Sequence, residues 1–65
     1  MKIMVNSKSE TVNPGSILDF ISSKGLAPEA LIVEHNYKII KKEEWANIRL
    51  DEGDNLELLS FVGGG

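Results

Sequence analysis

The pattern of hydrophobic and polar residues at the start of the chain predicts a β-hairpin. Residues 1–5 place the β-branched Ile3 and Val5 at alternate positions, which is typical of a strand with both side chains on one face. Residues 6–8 have turn chemistry, and residues 10–12 resume an extended pattern. Two short strands joined by a turn are therefore expected here.

A helix is predicted over residues 17–24. Ser16 is a good N-cap residue, and Asp19 occupies the capping-box position three residues later. Apolar residues then recur at helical spacing and form one stripe, at Ile17, Phe20 and Ile21. Gly25 suits the C′ position, where glycine adopts the left-handed backbone that ends many helices.

The middle of the chain alternates between apolar runs and turns. Residues 31–34 form a near-continuous apolar run that predicts a central strand, and residues 38–40 predict a short strand after a turn at residues 35–37. Helix formers at residues 41–46 predict a helical turn. The acidic residues 51–54, which include a glycine, predict another turn.

The last strand is predicted over residues 55–62. Its period of two puts one set of side chains, Leu56, Leu58 and Ser60, on one face and the alternate set, Glu57, Leu59 and Phe61, on the other. If the helix covers the first face, Leu59 and Phe61 lie on the open side of the sheet as a candidate docking patch. Scattered exposed apolar residues are also common on protein surfaces, so both interpretations stay open.

The order of these elements predicts an α+β fold, with one helix packed across a mixed sheet of four or five strands. The first and last strands are expected to pair in parallel as central neighbours, because the chain between them is long enough for a crossover. Residues 1–62 would form one domain, and residues 63–65 would form a flexible glycine tail.

Three features of the middle region have ordinary structural interpretations. His35 has no partner in the nearby sequence, so we expect a solvated turn residue rather than a ligand or a base. Trp45 is expected to fill the core, because so small a domain needs its one large ring inside. The acidic turn at residues 51–54 lacks the ligand spacing of a calcium loop.

Composition excludes several classes of function. The 65 residues include no cysteine and one histidine, so we expect no disulfide, no iron–sulfur cluster and no metal. We also expect the protein to hold no bound cofactor. The net charge of −3 argues against nucleic acid as a partner and favours a basic protein surface. No apolar run reaches the ~20 residues of a membrane span, and the N-terminus lacks signal-peptide features. These features favour a cytoplasmic protein that does not bind membranes.

The sequence ends in three glycines, Gly63, Gly64 and Gly65. Such a run is often a frayed or linker-like terminus. Alternatively, glycines can thread a slot that is too narrow for side chains and present one chemical group, the α-carboxylate of Gly65.

Several local motifs together resemble one family. They are Met1 directly on the first strand, Pro14-Gly15 before the helix, a turn at Asn36, Glu44-Trp45 after the fourth strand, Gly53-Asp54 before the last strand, and the C-terminal diglycine. In these residues the chain resembles the sulfur carrier proteins of thiamin biosynthesis (the ThiS family), which are ubiquitin-like β-grasp proteins. Lys41-Lys42 departs from the Pro-Arg pair expected of that family.

The resemblance implies a carrier protein rather than an enzyme. An ATP-dependent, E1-like enzyme would adenylate the Gly65 carboxylate, and a persulfide donor would convert the carboxylate to a thiocarboxylate. Thiazole synthase would then take the sulfur. Gly63 and Gly64 would form a slender arm, and the partners would bind the surface around Leu59 and Phe61.

Other functions of the same fold stay open at this point. The small subunit of molybdopterin synthase, carriers for cysteine or tRNA thiolation, and a ubiquitin-like modifier joined to lysines through Gly65 share the diglycine. Glu44-Trp45 and the short chain favour the thiamin branch. A passive β-grasp interaction module would keep its role without the glycines.

Overall fold

The computed structural model describes residues 1–61 of the chain. This part contains five strands and one α-helix. In chain order the elements are β1 (Lys2–Val5), β2 (Lys8–Thr11), α1 (Ile17–Ser23), β3 (Leu31–His35), β4 (Lys38–Ile40) and β5 (Asn55–Ser60). Short 3-10 turns lie at Pro28–Ala30, before β3, and at Lys42–Asn47, after β4.

The strands form one mixed sheet in the order β2-β1-β5-β3-β4. β1 and β5 are parallel neighbours at its centre, with Val5 beside Leu56, and the other pairs are antiparallel. This parallel pairing of the first and last strands confirms the prediction, because parallel neighbours need a long crossover and the helix supplies it. One helix across a five-stranded mixed sheet is the β-grasp arrangement of an α+β fold.

Both hairpins turn on two residues, and the first of each pair is an asparagine. Asn6 and Ser7 have φ angles of 50° and 68°, and Asn36 and Tyr37 have φ angles of 50° and 71°. Two successive positive φ angles identify a type I′ turn, whose twist matches the twist of the flanking strands. Asparagine tolerates this backbone better than most side chains do.

The turn bounds correct two sequence-based expectations. The first turn is shorter than the predicted residues 6–8, so β2 begins at Lys8 and ends before Val12. His35 pairs with Lys38 inside the second hairpin and therefore belongs to β3 rather than to the turn. In both cases a two-residue turn leaves more residues for the strands than a three-residue turn does.

A capping box begins α1, as predicted. The Asp19 N–H donates to Ser16 Oγ at 3.0 Å, and the Ser16 N–H donates to Asp19 Oδ2 at 2.9 Å. The hydrogen bond from the Ser16 N–H holds the pKa of Asp19 below its ordinary value. Gly25 follows the helix with a φ of 69°, as expected at C′. No helix within residues 1–61 is long and apolar enough to cross a membrane.

The core lies between α1 and one face of the sheet. It contains Ile17, Phe20 and Ile21 from the helix and Ile3, Val5, Leu31, Val33 and Leu56 from the strands. Trp45 joins this cluster from the second 3-10 turn and is 1% exposed, which confirms its predicted place in the core. Its Nε1–H donates to the Ile40 carbonyl at 3.1 Å, so the buried ring leaves no donor unsatisfied.

Candidate functional site

The end of β5 is fixed on the sheet by its pairing with β3. Ser60 lies opposite Leu31, and the Phe61 N–H extends the ladder by donating to the Ala30 carbonyl at 2.9 Å. These bonds hold the backbone in place as far as Phe61. They therefore fix the point on the sheet from which the chain continues toward the glycines.

The predicted terminus itself lies outside the described residues. Val62, at the end of the predicted domain 1–62, and the three glycines Gly63, Gly64 and Gly65 all fall in this part of the sequence. The candidate site is therefore the end of β5 together with the sheet face around it.

Leu59 and Phe61 lie on the face of the sheet that α1 leaves open. Leu56 and Leu58 pack against the core, whereas Leu59 is 63% exposed and Phe61 is 43% exposed. This placement follows the alternation expected from the sequence, because successive side chains of a strand point to opposite faces.

Two further apolar residues extend this face. Ile32 lies directly opposite Leu59 and is 40% exposed, and Ile39 of β4 lies beside Glu34 and is 71% exposed. Sequence reasoning missed both, and it missed Ile32 because an unbroken apolar run looks uniformly buried. For Ile32, its place between the buried Leu31 and Val33 in the strand period was the available signal. We call Ile32, Ile39, Leu59 and Phe61 the open-face patch.

Two carboxylates lie next to the open-face patch. Glu34 of β3 is directly opposite Glu57 of β5, both are half-buried, and the strand period puts Glu57 on the same face as Leu59. The ion pairs within residues 1–61 join Lys24 to Glu10 and His35 to Asp54, so neither includes Glu34 or Glu57. The open face is therefore apolar with an acidic pair in it.

The expectation that His35 is a solvated turn residue is wrong. The side chain is half-buried, and its Nε2 lies 2.8 Å from Asp54 Oδ2. The same carboxylate accepts hydrogen bonds from the Asp51 N–H at 2.8 Å and from Asn36 Nδ2 at 3.2 Å. Burial raises the pKa of Asp54, but the hydrogen bonds from His35, Asp51 and Asn36 outweigh burial and hold the pKa below its ordinary value.

These contacts fasten the β3–β4 turn to the loop before β5. The Asn36 N–H donates to the Asn55 carbonyl, and the Asn55 N–H donates to Asn36 Oδ1, both at 2.8 Å. Asp54 precedes β5 and Phe61 follows it, so a strand of six residues, roughly 20 Å long, separates the two. The His35–Asp54 pair is a structural clamp and is too far from the end of β5 to act there.

A concave feature lies on the side of the sheet opposite the open-face patch. A cleft of about 400 Å³ between β2 and α1 is bordered by Glu10, Phe20 and Lys24. Lys24 pairs there with Glu10, and its Nζ lies 5.5 Å from the Phe20 ring centre. Within residues 1–61, no group of three His, Asp or Glu side chains is arranged to hold a metal ion.

Comparison with known proteins identifies one family. Residues 3–65 match the family model of the ThiS family. The sulfur carrier protein ThiS of Bacillus subtilis is 41% identical over 51 residues, which cover 78% of this chain and 77% of that protein. A crystal structure of a thiamine biosynthesis protein (ThiS) from Geobacter metallireducens has a TM-score of 0.86 and 30% identity over the whole of both chains.

The chain also matches part of a longer protein. A thiazole synthase of Magnetococcus marinus is 32% identical over 66 residues, which cover all of this chain and 20% of that protein. The chain thus spans about a fifth of the length of the thiazole synthases that it matches.

Proposed function

The chain belongs to the ThiS family, and from this premise we propose that it is a sulfur carrier of thiamin biosynthesis whose working group is the Gly65 carboxylate. One observation carries the proposal: the family match runs through residues 3–65 and therefore includes all three glycines. The sulfur carrier protein ThiS of Bacillus subtilis, at 41% identity, supports it.

The chemistry begins by making the terminal carboxylate reactive. A free carboxylate is a poor electrophile, so a partner E1-like enzyme uses ATP to form an acyl adenylate at Gly65 and releases pyrophosphate. The terminal sulfur of a persulfide donor then displaces AMP and forms an acyl disulfide with Gly65. A thiol reductant cleaves the S–S bond of this acyl disulfide by forming a disulfide with the donor sulfur, and the carrier leaves with a thiocarboxylate. Gly63 and Gly64 suit an arm that reaches into a narrow active site, because a chain without Cβ atoms fits where side chains do not.

We infer that this chain is a co-substrate of its partners and contributes no catalytic side chain. The His–carboxylate pair that the structure describes, His35 with Asp54, holds two loops together at the far end of β5. ATP is bound by the activating enzyme, and the carrier holds no cofactor of its own. The place of reaction is the cytoplasm.

The thiocarboxylate sulfur goes to thiazole synthase. This step is supported by the thiazole synthases that contain a segment similar to this chain. Leu59 and Phe61 form the surface that the partners dock on, because they lie exposed where β5 leads toward the glycines. Residues 1–62 act as the folded body and residues 63–65 as the reacting arm.

Intact-protein mass spectrometry tests this proposal. The wild type and a variant that lacks Gly65 are incubated with the adenylating enzyme, the persulfide donor, a thiol reductant and ATP, and a reaction without ATP is the control. We expect the wild type alone, and only with ATP, to gain the mass of one oxygen replaced by one sulfur, with terminal fragmentation locating the change at Gly65. The truncated variant should melt at the same temperature as the wild type.

Two results contradict the proposal. Sulfur that is found away from Gly65, or a wild type whose mass never changes in the complete reaction, would rule out a carrier that works through this carboxylate. An adduct between Gly65 and a lysine of another protein would instead identify a ubiquitin-like modifier.

A further inference from the structure

The acidic pair on the open face works against the stability of the isolated protein. Glu34 and Glu57 are directly opposite each other in the β3–β5 ladder, where Cβ atoms lie about 5 Å apart. Like charges in this position destabilise a sheet, whereas opposite charges stabilise it. No Lys or Arg within residues 1–61 forms an ion pair with either carboxylate, including Lys41, which directly follows β4.

The surroundings of this pair are apolar and exposed. Ile39 lies beside Glu34 on the β4 side, and Ile32 and Leu59 form the next cross-strand pair along the same two strands. The exposed fractions of these three side chains are 71%, 40% and 63%. Any protein that covers these apolar groups also removes water from the two carboxylates.

Such burial is unfavourable unless a positive charge accompanies it. A carboxylate that loses its water without gaining a partner is strongly destabilised, and here two would be buried together. A guanidinium group has five N–H donors in a planar fork, so one arginine can donate to two neighbouring carboxylates. The net charge of −3 also favours encounter with a positively charged surface.

We propose that the adenylating enzyme covers the open-face patch with an apolar surface that inserts an arginine between Glu34 and Glu57. This inference rests on the proposed function, because that function requires such an enzyme to hold the carrier while Gly65 reacts. The open-face patch ends at Phe61, four residues before Gly65, so a protein bound there is adjacent to the terminus. The apolar side chains supply contact area, and the acidic pair selects a partner with the matching charge.

The test measures ATP–pyrophosphate exchange by the adenylating enzyme, with the carrier as the varied substrate at low and high salt. The double variant Glu34→Gln, Glu57→Gln keeps the side-chain shapes and removes both charges. The double variant Glu43→Gln, Asp51→Asn is the control, because it removes two exposed charges elsewhere on the surface. We expect the first variant to raise the KM for the carrier about tenfold or more at low salt, with kcat unchanged. The control should stay within about twofold of the wild type.

Stability measurements separate a binding role from a structural one. The Glu34→Gln, Glu57→Gln variant should melt at the same temperature as the wild type or at a higher one, because a repulsion has been removed. Glu34→Lys should melt higher still, since the introduced ammonium group would pair with Glu57, and should lose most of its exchange activity through repulsion of the arginine.

The possible failures are distinguishable. If the wild type supports no exchange, the proposed function fails and this inference fails with it. If the wild type is adenylated but the Glu34→Gln, Glu57→Gln variant has the KM and salt dependence of the control variant, the proposed function survives and the arginine contact is overturned. A clear fall in its melting temperature would also overturn the inference, because the pair would then stabilise the fold.

Discussion

At the scale of single residues, the positive φ angles of the two hairpin turns cost free energy. The side chains in these turns differ in how well they tolerate that backbone. The second residue of each turn, Ser7 or Tyr37, has a positive φ. A non-glycine residue in this region costs about 1–2 kcal/mol, and asparagine bears that cost more easily than most. Tyr37 is 80% exposed, so its ring recovers little of the cost through packing.

Replacement of Tyr37 by glycine should therefore stabilise the protein. We expect Tyr37→Gly to raise the free energy of unfolding by roughly 0.5–1 kcal/mol, because glycine removes the strain of the Cβ atom but also loosens the unfolded chain. Urea denaturation measures the change. Ser7→Gly, at the equivalent position of the first hairpin, should act in the same direction. Tyr37→Ala is the control, since alanine keeps a Cβ atom, and equal stabilisation by alanine and glycine would contradict the explanation.

At the scale of elements, one carboxylate joins the β3–β4 turn to the loop that leads into β5. Asp54 is buried and accepts hydrogen bonds from His35, Asn36 and the Asp51 N–H. Hydrogen bonds to charged groups contribute about 1.5–3 kcal/mol each, and part of this is offset by the burial of the charge. The lowered pKa of Asp54 means that the clamp is stronger when Asp54 is ionised than when it is protonated.

The contribution of Asp54 should disappear in acid. Its pKa lies below the ordinary value of 3.8 in the folded protein, so its charge stabilises the fold above that value. The stabilisation is lost as the pH falls from about 3.8 through the lower folded pKa. Asp54→Asn should thus cost about 1–3 kcal/mol at pH 7 and progressively less below pH ~4. Urea denaturation of both proteins across this range measures the difference, and a difference that does not change with pH would contradict the assignment.

The same elements show what a sequence reveals and what it does not. The capping box of Ser16 and Asp19 was predictable because the two residues are three positions apart in the sequence and interact within the first turn of the helix. The parallel pairing of the first and last strands followed from the order of elements.

Contacts that depend on strand register were not predictable. His35 meets Asp54 across 19 residues, and Glu34 meets Glu57 only because β3 and β5 pair in one particular register. A register shift of one residue would move every side chain of a strand to the other face of the sheet. The hydrophobic pattern does not specify which residue of the neighbouring strand lies opposite a given residue. Sequence reasoning therefore found Leu59 and Phe61, which are two residues apart in one extended segment, but missed Ile32 on the neighbouring strand.

At the scale of the whole molecule, the short helix α1 covers one face of the five-stranded sheet, and no other element within residues 1–61 covers the opposite face. α1 has seven residues and covers the side of the sheet that holds Ile3, Val33 and Leu56. A domain of this size buries only about 60% of the surface of its unfolded chain, so exposed apolar groups are expected. Four of these exposed groups, the open-face patch, lie together on the face that α1 leaves open.

Loss of an apolar contact on that face should impair partner binding without unfolding the protein. Leu59→Thr keeps a residue that favours strands and removes most of an exposed apolar side chain, so the free energy of unfolding should change by no more than about 0.5 kcal/mol. If Leu59 lies at the centre of the interface, the KM for the carrier in adenylation should rise about fivefold or more, with kcat unchanged. Leu18→Gln is the control, because Leu18 is a partly exposed leucine on α1, on the other side of the molecule. Equal effects of the two substitutions on KM would show that the partner does not bind the open-face patch. A large fall in the free energy of unfolding of Leu59→Thr would show that Leu59 supports the fold instead.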